Sequence, residues 1–453
     1  MTNRGGLICR KKQESIFTYI NIANFDDVAE KEESATHEVG HSIHALDTFF
    51  SSVEAYGMKY YPGLFLVEKI TGSRLHMYVV SDSISQAFDI VSSVTKYADE
   101  LTVYLKNNVS KYKTLVPFWI QVGACFGPFY EFEFKRKDAD EMTTIGYAAN
   151  YAAKLQNLSK PQHIMISENM YDDLAPDQKL YFRKVSPAVI RKYGQENCYD
   201  AEIKNLQVKY NFRRDLERAE QFSNRVDLQD MNFRSANQPL NYKDLSKTEC
   251  KKIKGIPLFA DVRDFTVQFD EDGANLEEMA AKTQNILTAM YEVVEGRHGI
   301  HVQFQGDREM ALFHDYSDYS CVVDAVTAGL RIIDAVKGYQ VSVGVGQSIG
   351  RLFAAKIGAR GEKDNILLGR TVSEADKNED EYAGKNQLVL STDLYEELKK
   401  KDSSLAALFK KKNSEAYYTE SGYRSYISQA SYSQLKRDNA SNNYNKAWGT
   451  FID

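Results

Sequence analysis

The strongest constraint on the fold of this 453-residue chain is an internal repeat. Two stretches, about 15–200 and 255–400, present the same elements in the same order. Each has a β-type run, a long helical pattern (28–56 or 275–298), a Gly-centred strand pair, a second helix, a strand ending in Gly, and a helix leading to a further strand. Matched positions in one order, about 240 residues apart, are typical of a duplicated unit. The pattern predicts an α+β fold with two domains, each a mainly antiparallel sheet with helices on one face.

Composition divides the chain further. Residues 203–252 are dense in charged and amide side chains and have only scattered apolar positions, which favours a partly helical connector. The last residues, 429–453, form a polar tail. We therefore expect an N-terminal half (1–202), the connector, a C-terminal half (253–428) and the tail.

Composition also excludes several protein classes. Hydrophobic residues make up 43% and charged residues 26% of the chain, which is ordinary for a packed globular protein. A net charge of −6 gives no pull toward nucleic acid or anionic lipid, and the five cysteines contain no CxxC pair that would suggest a disulfide framework or zinc site. The most apolar stretch, 114–130, is interrupted by Pro and Gly and is too short for a membrane helix. These features predict a soluble, cytoplasmic protein with no nucleic-acid and no membrane partner.

Two carboxylates suggest chemistry in the C-terminal half. Asp261 ends the apolar strand LFAD, and Asp307 lies in the hairpin turn QGD. Carboxylates at adjoining strand ends can converge on Mg²⁺ or Mn²⁺, and a helix beginning in VRDFT after Asp261 would offer N–H groups to phosphate. Either residue alone could be an ordinary turn residue. The matched positions of the N-terminal half are Asn21 and Ser73, so only one half keeps both carboxylates.

The motifs resemble the class III nucleotidyl cyclases. In the C-terminal half the pattern is FADVRDFT, QGDREMALF, VGVGQSIG and IGARGEKDNILLG, and in the N-terminal half it is KITGSRLHMY, IQVGACFGPF and TTIGYAANYAAKL. Together they cover most of 15–200 and 255–400. The resemblance implies two tandem ferredoxin-like (βααββαβ) cyclase domains packed head to tail as a pseudo-heterodimer, with sites at their interface.

The resemblance assigns metal and phosphate binding to the C-terminal half. Asp261 and Asp307 match the aspartates that bind two divalent cations, Mn²⁺ or Mg²⁺, and the Val262 carbonyl matches a backbone ligand. Arg360 matches the arginine that meets pyrophosphate. Phe265 and Thr266, which follow the first aspartate, are expected to contact substrate.

The N-terminal half matches the nucleoside-binding partner. Lys69 and Thr143 occupy the two positions that read the base edge, and Asn150 occupies the position that orients the ribose. Lys154 stands where the family usually has a transition-state arginine. Because an ammonium lacks the forked donors of a guanidinium, we expect weakened catalysis.

The C-terminal half lacks most nucleoside-binding residues of its own. Its matched base-reading, ribose and transition-state positions hold Gln303, Ile366, Ser373 and Lys377, and three of the four look unable to fill these roles. The sequence therefore predicts one working and one degenerate site per chain, so that a monomer can suffice.

The implied reaction converts a nucleoside triphosphate to a 3′,5′-cyclic nucleotide and pyrophosphate by two-metal catalysis. Lys69 with Thr143 resembles the pair of bacterial adenylate cyclases, but lysine can also donate to cytosine. The lack of a recognisable sensor domain resembles the Pycsar pyrimidine cyclases, which serve anti-phage defence through a separate cyclic-nucleotide-responsive effector. We predict a cytidylate cyclase that uses CTP to make cCMP, with UTP or ATP left open and adenylate cyclase as the alternative.

Two other functions are consistent with parts of the sequence. His37 to His41 spells HExxH, a zinc metalloprotease motif when both histidines share one helical face, although here we favour a packing helix. A non-catalytic nucleotide-binding module is the other, and retention of both Asp261 and Asp307 weighs against it.

Overall fold

The computed structural model describes residues 8–11, 15–36, 39–135, 140–185, 197–224, 232–235, 238–245, 249–265, 276–358 and 364–419.

The elements up to the connector alternate as the repeat predicts. The strands are β1 (Ile8–Lys11), β2 (Ser15–Ile22), β3 (Phe65–Thr71), β4 (Arg74–Val79), β5 (Ile120–Gly127), β6 (Tyr130–Lys135), β7 (Asp140–Ile145), β8 (His163–Ser167), β9 (Arg183–Lys184) and β10 (Cys198–Glu202). The helices are α1 (Phe25–Thr36), α2 (Gly40–Tyr60), α3 (Ile84–Asn108), α4 (Tyr147–Leu158), α5 (Glu168–Asp172) and α6 (Pro176–Lys179), with a 3₁₀ turn at Ser110–Tyr112.

The rest of the chain repeats the same series. The strands are β11 (Asn232–Ser235), β12 (Glu249–Arg263), β13 (Ile300–Gln305), β14 (Arg308–His314), β15 (Ser342–Gln347), β16 (Gly350–Ile357), β17 (Asp364–Leu368), β18 (Gln387–Ser391), β19 (Phe409–Lys411) and β20 (Ala416–Thr419). The helices are α7 (Arg213–Ser223), α8 (Leu276–Glu295), α9 (Val322–Lys337), α10 (Arg370–Lys377), α11 (Thr392–Lys401) and α12 (Ser403–Ala406); 3₁₀ turns cover Ile203–Asn205 and Tyr242–Asp244, and a π-helical turn covers Asn378–Tyr382.

Two sheets have the same strand order. One runs β3-β4-β2-β5-β8-β10-β9, and the other runs β13-β14-β12-β15-β18-β20-β19, with β11, β16 and β17 attached to the second. Both are mainly antiparallel, and β5–β8 and β15–β18 are matching parallel pairs. Helix α4 packs closely on β5, and α10 packs in the same way on β15. A Cβ at Gly123 in β5 would collide with the Ala152 carbonyl of α4, and one at Gly346 in β15 would collide with the Ala375 carbonyl of α10. The mixed α and β fold predicted from the repeat is therefore present.

Each half has a hairpin outside this common strand order. In the N-terminal half β6 pairs with β7 on one side and with β1 on the other, and we call the β6–β7 hairpin (Tyr130–Ile145) the N-terminal arm. In the C-terminal half β16 pairs with β17 and with the start of β12, and we call it (Gly350–Leu368) the C-terminal arm.

The structure corrects three local predictions. The predicted helix 28–56 is two helices, because α1 ends at Thr36 and Glu32 accepts hydrogen bonds from the backbone N–H groups of His41 (2.9 Å) and Ser42 (2.7 Å) at the start of α2. The predicted connector ends early, because residues from Glu249 onward belong to β12. The predicted helix start in VRDFT is wrong for Val262 and Arg263, because the ladder with β15 continues to Arg263, and from Thr266 onward the prediction lies outside the described residues.

None of the described helices combines the length and apolarity needed to cross a membrane.

Candidate functional site

The two halves meet through matching contacts of their arms. On the N-terminal arm, Glu141 accepts a hydrogen bond from the backbone N–H of Phe304 in β13 (2.7 Å). On the C-terminal arm, Asp364 accepts one from the backbone N–H of Ile70 in β3 (2.8 Å). Each arm therefore contacts the first hairpin of the other half.

Asp261 and Asp307 lie side by side in the C-terminal half. Asp261 pairs in register with Arg308 across β12 and β14, and Asp307 directly precedes Arg308 in the tight turn after Gly306 (φ 71°). Burial raises the pKa of the Asp307 carboxyl well above its ordinary value, and the charge of Asp261 adds to the effect. Burial also raises the pKa of Asp261, against the pull of Arg263.

Two arginines balance part of this negative charge. Arg263 lies 3.1 Å from Asp261 Oδ2 and 2.6 Å from Glu379 Oε1, and Arg308 lies 2.6 Å from both Asp376 and Glu379. Burial still raises the pKa of Glu379 to about 8. Sequence reasoning missed all four partners, although both arginines are within two residues of the predicted aspartates.

A divalent cation fits the Asp261–Asp307 pair. Among the described residues no cation forms an ion pair with Asp307, and the two neighbouring carboxylates disfavour each other's charged form. Hard cations prefer such carboxylate oxygens, and a bound cation would remove the repulsion. Val262 follows Asp261 within β12, opposite Val343. No group of three or more His, Cys, Asp or Glu suited to a metal occurs within the described ranges.

Asn150 and Lys154 approach these aspartates from the N-terminal half. They lie one turn apart on α4 and so share a helix face. Asn150 Oδ1 lies 3.9 Å from the position that a Cβ would take on Gly306, next to Asp307. The positive charge of Lys154 is close enough to act against the burial that raises the pKa of Asp261. Side chains of both halves therefore meet in one cleft.

Lys69 and Thr143 both contact the β13–β14 hairpin, which carries Asp307 in its turn. Lys69 Nζ donates to the Phe304 carbonyl (2.6 Å), and the Thr143 hydroxyl accepts from the Gly306 N–H (2.9 Å). Lys69 is 4% exposed and Thr143 is fully buried. A nucleobase that reached these groups would have to displace the backbone of β13, which the sequence did not indicate.

The remaining predicted site residues are not in the cleft as described. Phe265 is buried in the core of the C-terminal half, packed with residues such as Val262 and Met290. Thr266 and Arg360 lie outside the described residues.

Neither a family model nor a curated protein matches this chain. A solved structure similar to it is a class III adenylyl cyclase-like ATP-binding protein from Pseudomonas aeruginosa, with 15% sequence identity, a TM-score of 0.64, and coverage of 86% of this chain and 85% of that one. The chain has the class III cyclase fold. Other similar structures are the adenylyl cyclase CyaB from P. aeruginosa (21% identity, TM-score 0.34, 39% of this chain and 98% of that one) and the guanylyl cyclase Cya2 (20%, 0.31, 38% and 95%).

Within this class III cyclase fold a second cleft holds the degenerate positions. Here Ser73 donates to Asn21 (3.0 Å), at the positions that match Asp307 and Asp261. A cavity of about 90 Å³ is lined by these two residues together with Arg74, Ser373 and other side chains. The residues that match the paired aspartates are neutral, although Asp26 and Asp376 also line this cavity.

The HExxH motif does not lie on one helix. His41 is in the first turn of α2, with its ring 2.7 Å from Glu32, whereas α1 ends at Thr36. His37 and Glu38 lie outside the described residues, and Val39, at the centre of the motif, precedes α2 in a non-helical conformation (φ −129°, ψ 22°). The zinc geometry needs both histidines on a single helical face, so the metalloprotease alternative loses its structural basis.

Proposed function

We propose that this protein is a nucleotidyl cyclase that converts a nucleoside triphosphate to a 3′,5′-cyclic nucleotide and pyrophosphate. The observation that carries the proposal is the meeting of Asp261 and Asp307 with Asn150 and Lys154 in one cleft. Asp261 and Asp307 suit divalent cations, Asn150 suits a ribose, and Lys154 suits a phosphate.

Each residue has a role in the proposed reaction. Asp261 and Asp307 hold the divalent cations, Mn²⁺ or Mg²⁺, with the Val262 carbonyl as a further ligand. When bound, the cations lower the pKa of the ribose 3′-OH and neutralise triphosphate charge. Asn150 orients the ribose, so that the 3′ oxygen attacks the α-phosphorus as the bond to pyrophosphate breaks.

Charge develops on the phosphoryl oxygens during this transfer, and the Lys154 ammonium lies where it can stabilise it. Arg360 is proposed to bind the departing pyrophosphate. Because the working cleft is formed within one chain, a monomer is expected to be active.

A nucleotide-binding protein without turnover is the second candidate. The similar Pseudomonas structure is named as an ATP-binding protein, and lysine in place of arginine at position 154 would slow catalysis. Against it, the buried Asp307 carboxylate beside the part-exposed Asp261 is costly to keep charged unless the pair holds cations. We therefore favour the enzyme.

CTP is the proposed substrate and cCMP the product. Lys69 and Thr143 offer one charged donor and one hydroxyl, which suit the O2 or N3 acceptors and the amino group of cytosine. ATP is the alternative, because adenine offers a similar edge. A role in anti-phage defence, through a separate effector, is proposed from the Pycsar resemblance alone.

The test is to incubate the purified protein separately with ATP, GTP, CTP and UTP and Mn²⁺, and to identify products by chromatography and mass spectrometry. We expect cCMP from CTP, with a rate per molecule that is independent of dilution if the monomer is active. cAMP from ATP would establish the adenylate alternative. Binding of a nucleotide without any cyclic product would contradict the enzyme and support the binding protein.

A further inference from the structure

We propose that Glu141 and His301 are positioning residues for nucleobase recognition, which hold the Lys69 ammonium at the base edge of the working cleft. The inference rests on the proposed function only insofar as a nucleotide binds in this cleft. It assigns a role to two residues that lie in different halves and that no sequence motif indicated.

Four side chains of alternating charge, Lys69, Glu141, His301 and Glu309, contact one another in series, and we call them the charge chain. Lys69 Nζ lies 3.6 Å from Glu141 Oε1, Glu141 Oε2 lies 2.9 Å from His301 Nε2, and His301 Nδ1 lies 2.8 Å from Glu309 Oε1. Lys69 and Glu141 belong to the N-terminal half, and His301 and Glu309 belong to the C-terminal half. The lysine is thus held by the Phe304 carbonyl of the C-terminal half (2.6 Å) and by the charge of Glu141, a carboxylate that the C-terminal half anchors.

The charge chain is largely shielded from solvent, and Glu141, with 18% of its side chain exposed, is its most accessible member. The side chains of Lys69 and His301 are 5% and 4% exposed, and that of Glu309 is fully buried. Burial opposes the charge of His301, but Glu309 and Glu141 outweigh it and raise its pKa to about 9, so the ring is a cation at neutral pH. Glu68, the other carboxylate next to Lys69, is held by the Thr144 N–H (2.8 Å).

The contacts of the β3–β4 hairpin with the C-terminal arm, on the degenerate side of the interface, can be compared with those of the β13–β14 hairpin with the N-terminal arm. Both hairpins have a β-bulge at the same place, which matches Val67 with His301 and Lys69 with Gln303. There Asp364 keeps the backbone anchor to Ile70, as Glu141 does to Phe304.

Charged side chains that would match His301 and Glu309 are missing on that degenerate side. Val67 and Leu75 stand in place of His301 and Glu309, and no described residue accepts from Gln303 Nε2. The acid-to-backbone anchor is therefore shared architecture, whereas the charge chain occurs only where the base-reading lysine is.

The role of Glu141 and His301 in nucleobase recognition can be measured from nucleotide binding, without turnover. CTP, ATP, GTP and UTP are titrated in the presence of Ca²⁺ by calorimetry into wild type, Glu141→Gln, His301→Gln and Asp364→Asn. Glu141→Gln and Asp364→Asn keep the oxygen that accepts from the backbone and remove only the charge, whereas His301→Gln replaces the cationic ring by a neutral side chain. Asp364→Asn is the matched control, because it removes the charge of the equivalent anchor on the degenerate side.

We expect Glu141→Gln and His301→Gln to weaken binding of the preferred nucleotide about tenfold and to narrow its preference over the next base. Asp364→Asn should leave that preference unchanged. Glu141→Asp, which restores the charge, should recover the preference, and it serves as the second variant if Glu141→Gln fails to fold.

An unchanged base preference in Glu141→Gln, with the same loss of melting temperature as in Asp364→Asn, would overturn the inference and leave a structural role only. Absence of binding of all four nucleotides to wild type would overturn it as well. Binding without a cyclic product would contradict the cyclase proposal alone, and the preference of the variants would still decide the role of Glu141 and His301.

Discussion

His301 allows the buried charge chain to be measured as a pH dependence of stability. Its ring lies 2.9 Å from Glu141 and 2.8 Å from Glu309, and its pKa rises from 6.5 to about 9 although burial opposes the charge. A folded pKa above the unfolded one means that the stabilisation is fully present below pH 6.5. It is lost as the pH rises through about 9.

The difference between pKa values of 6.5 and about 9 corresponds to about 3 kcal/mol of the free energy of unfolding. His301 in turn lowers the pKa of Glu141 to about 2, although burial opposes that charge as well. The two values describe one ion pair and are therefore not added. Replacing His301 by Gln should remove this pH-dependent part.

The assay is urea unfolding followed by circular dichroism at pH 6 and pH 9.5. Wild type should lose about 3 kcal/mol more than His301→Gln over this interval. His298→Gln, a change at an exposed histidine nearby, is the control and should follow wild type. If His301→Gln shows the same pH dependence as wild type, the ring is not the buried cation described here.

Three further substitutions probe the working cleft. Asp307→Asn should raise the free energy of unfolding by about 1 kcal/mol without divalent cations, because it removes a buried charge next to Asp261, and thermal unfolding measures this. Lys154→Arg should raise kcat about tenfold in a product assay, because the guanidinium supplies forked donors, and an unchanged kcat would place position 154 away from the reacting phosphate. Arg308→Met should lower the free energy of unfolding by about 3 kcal/mol, because Glu379 loses a buried partner, and an unchanged urea midpoint would refute this ion pair.

The order of elements was readable from the sequence because its signals are local. Gly72 and Gly306 mark the two hairpin turns, and both adopt positive φ angles (58° and 71°) that favour glycine. Apolar runs on either side fix the strands, and the same pattern recurs after about 240 residues. The family resemblance then predicted candidate site residues, of which Phe265 lies in the core instead.

Other features depend on contacts that no local pattern contains. Glu141 and His301 are far apart in the sequence, and their ion pair exists only because an arm of one half covers a hairpin of the other. The break between α1 and α2 depends on Glu32 accepting from the backbone of the next helix. The backbone contacts of Lys69 likewise follow from packing between halves, not from its motif.

The division of roles between the two halves is tested most directly by one product measurement on two variants. Asn150→Ala in the N-terminal half and Asp261→Asn in the C-terminal half are assayed with Mn²⁺ and the triphosphate that wild type prefers. Both should still fold and should form cyclic product at least about 100-fold more slowly than wild type. Full activity in either variant would contradict a single catalytic cleft built from both halves.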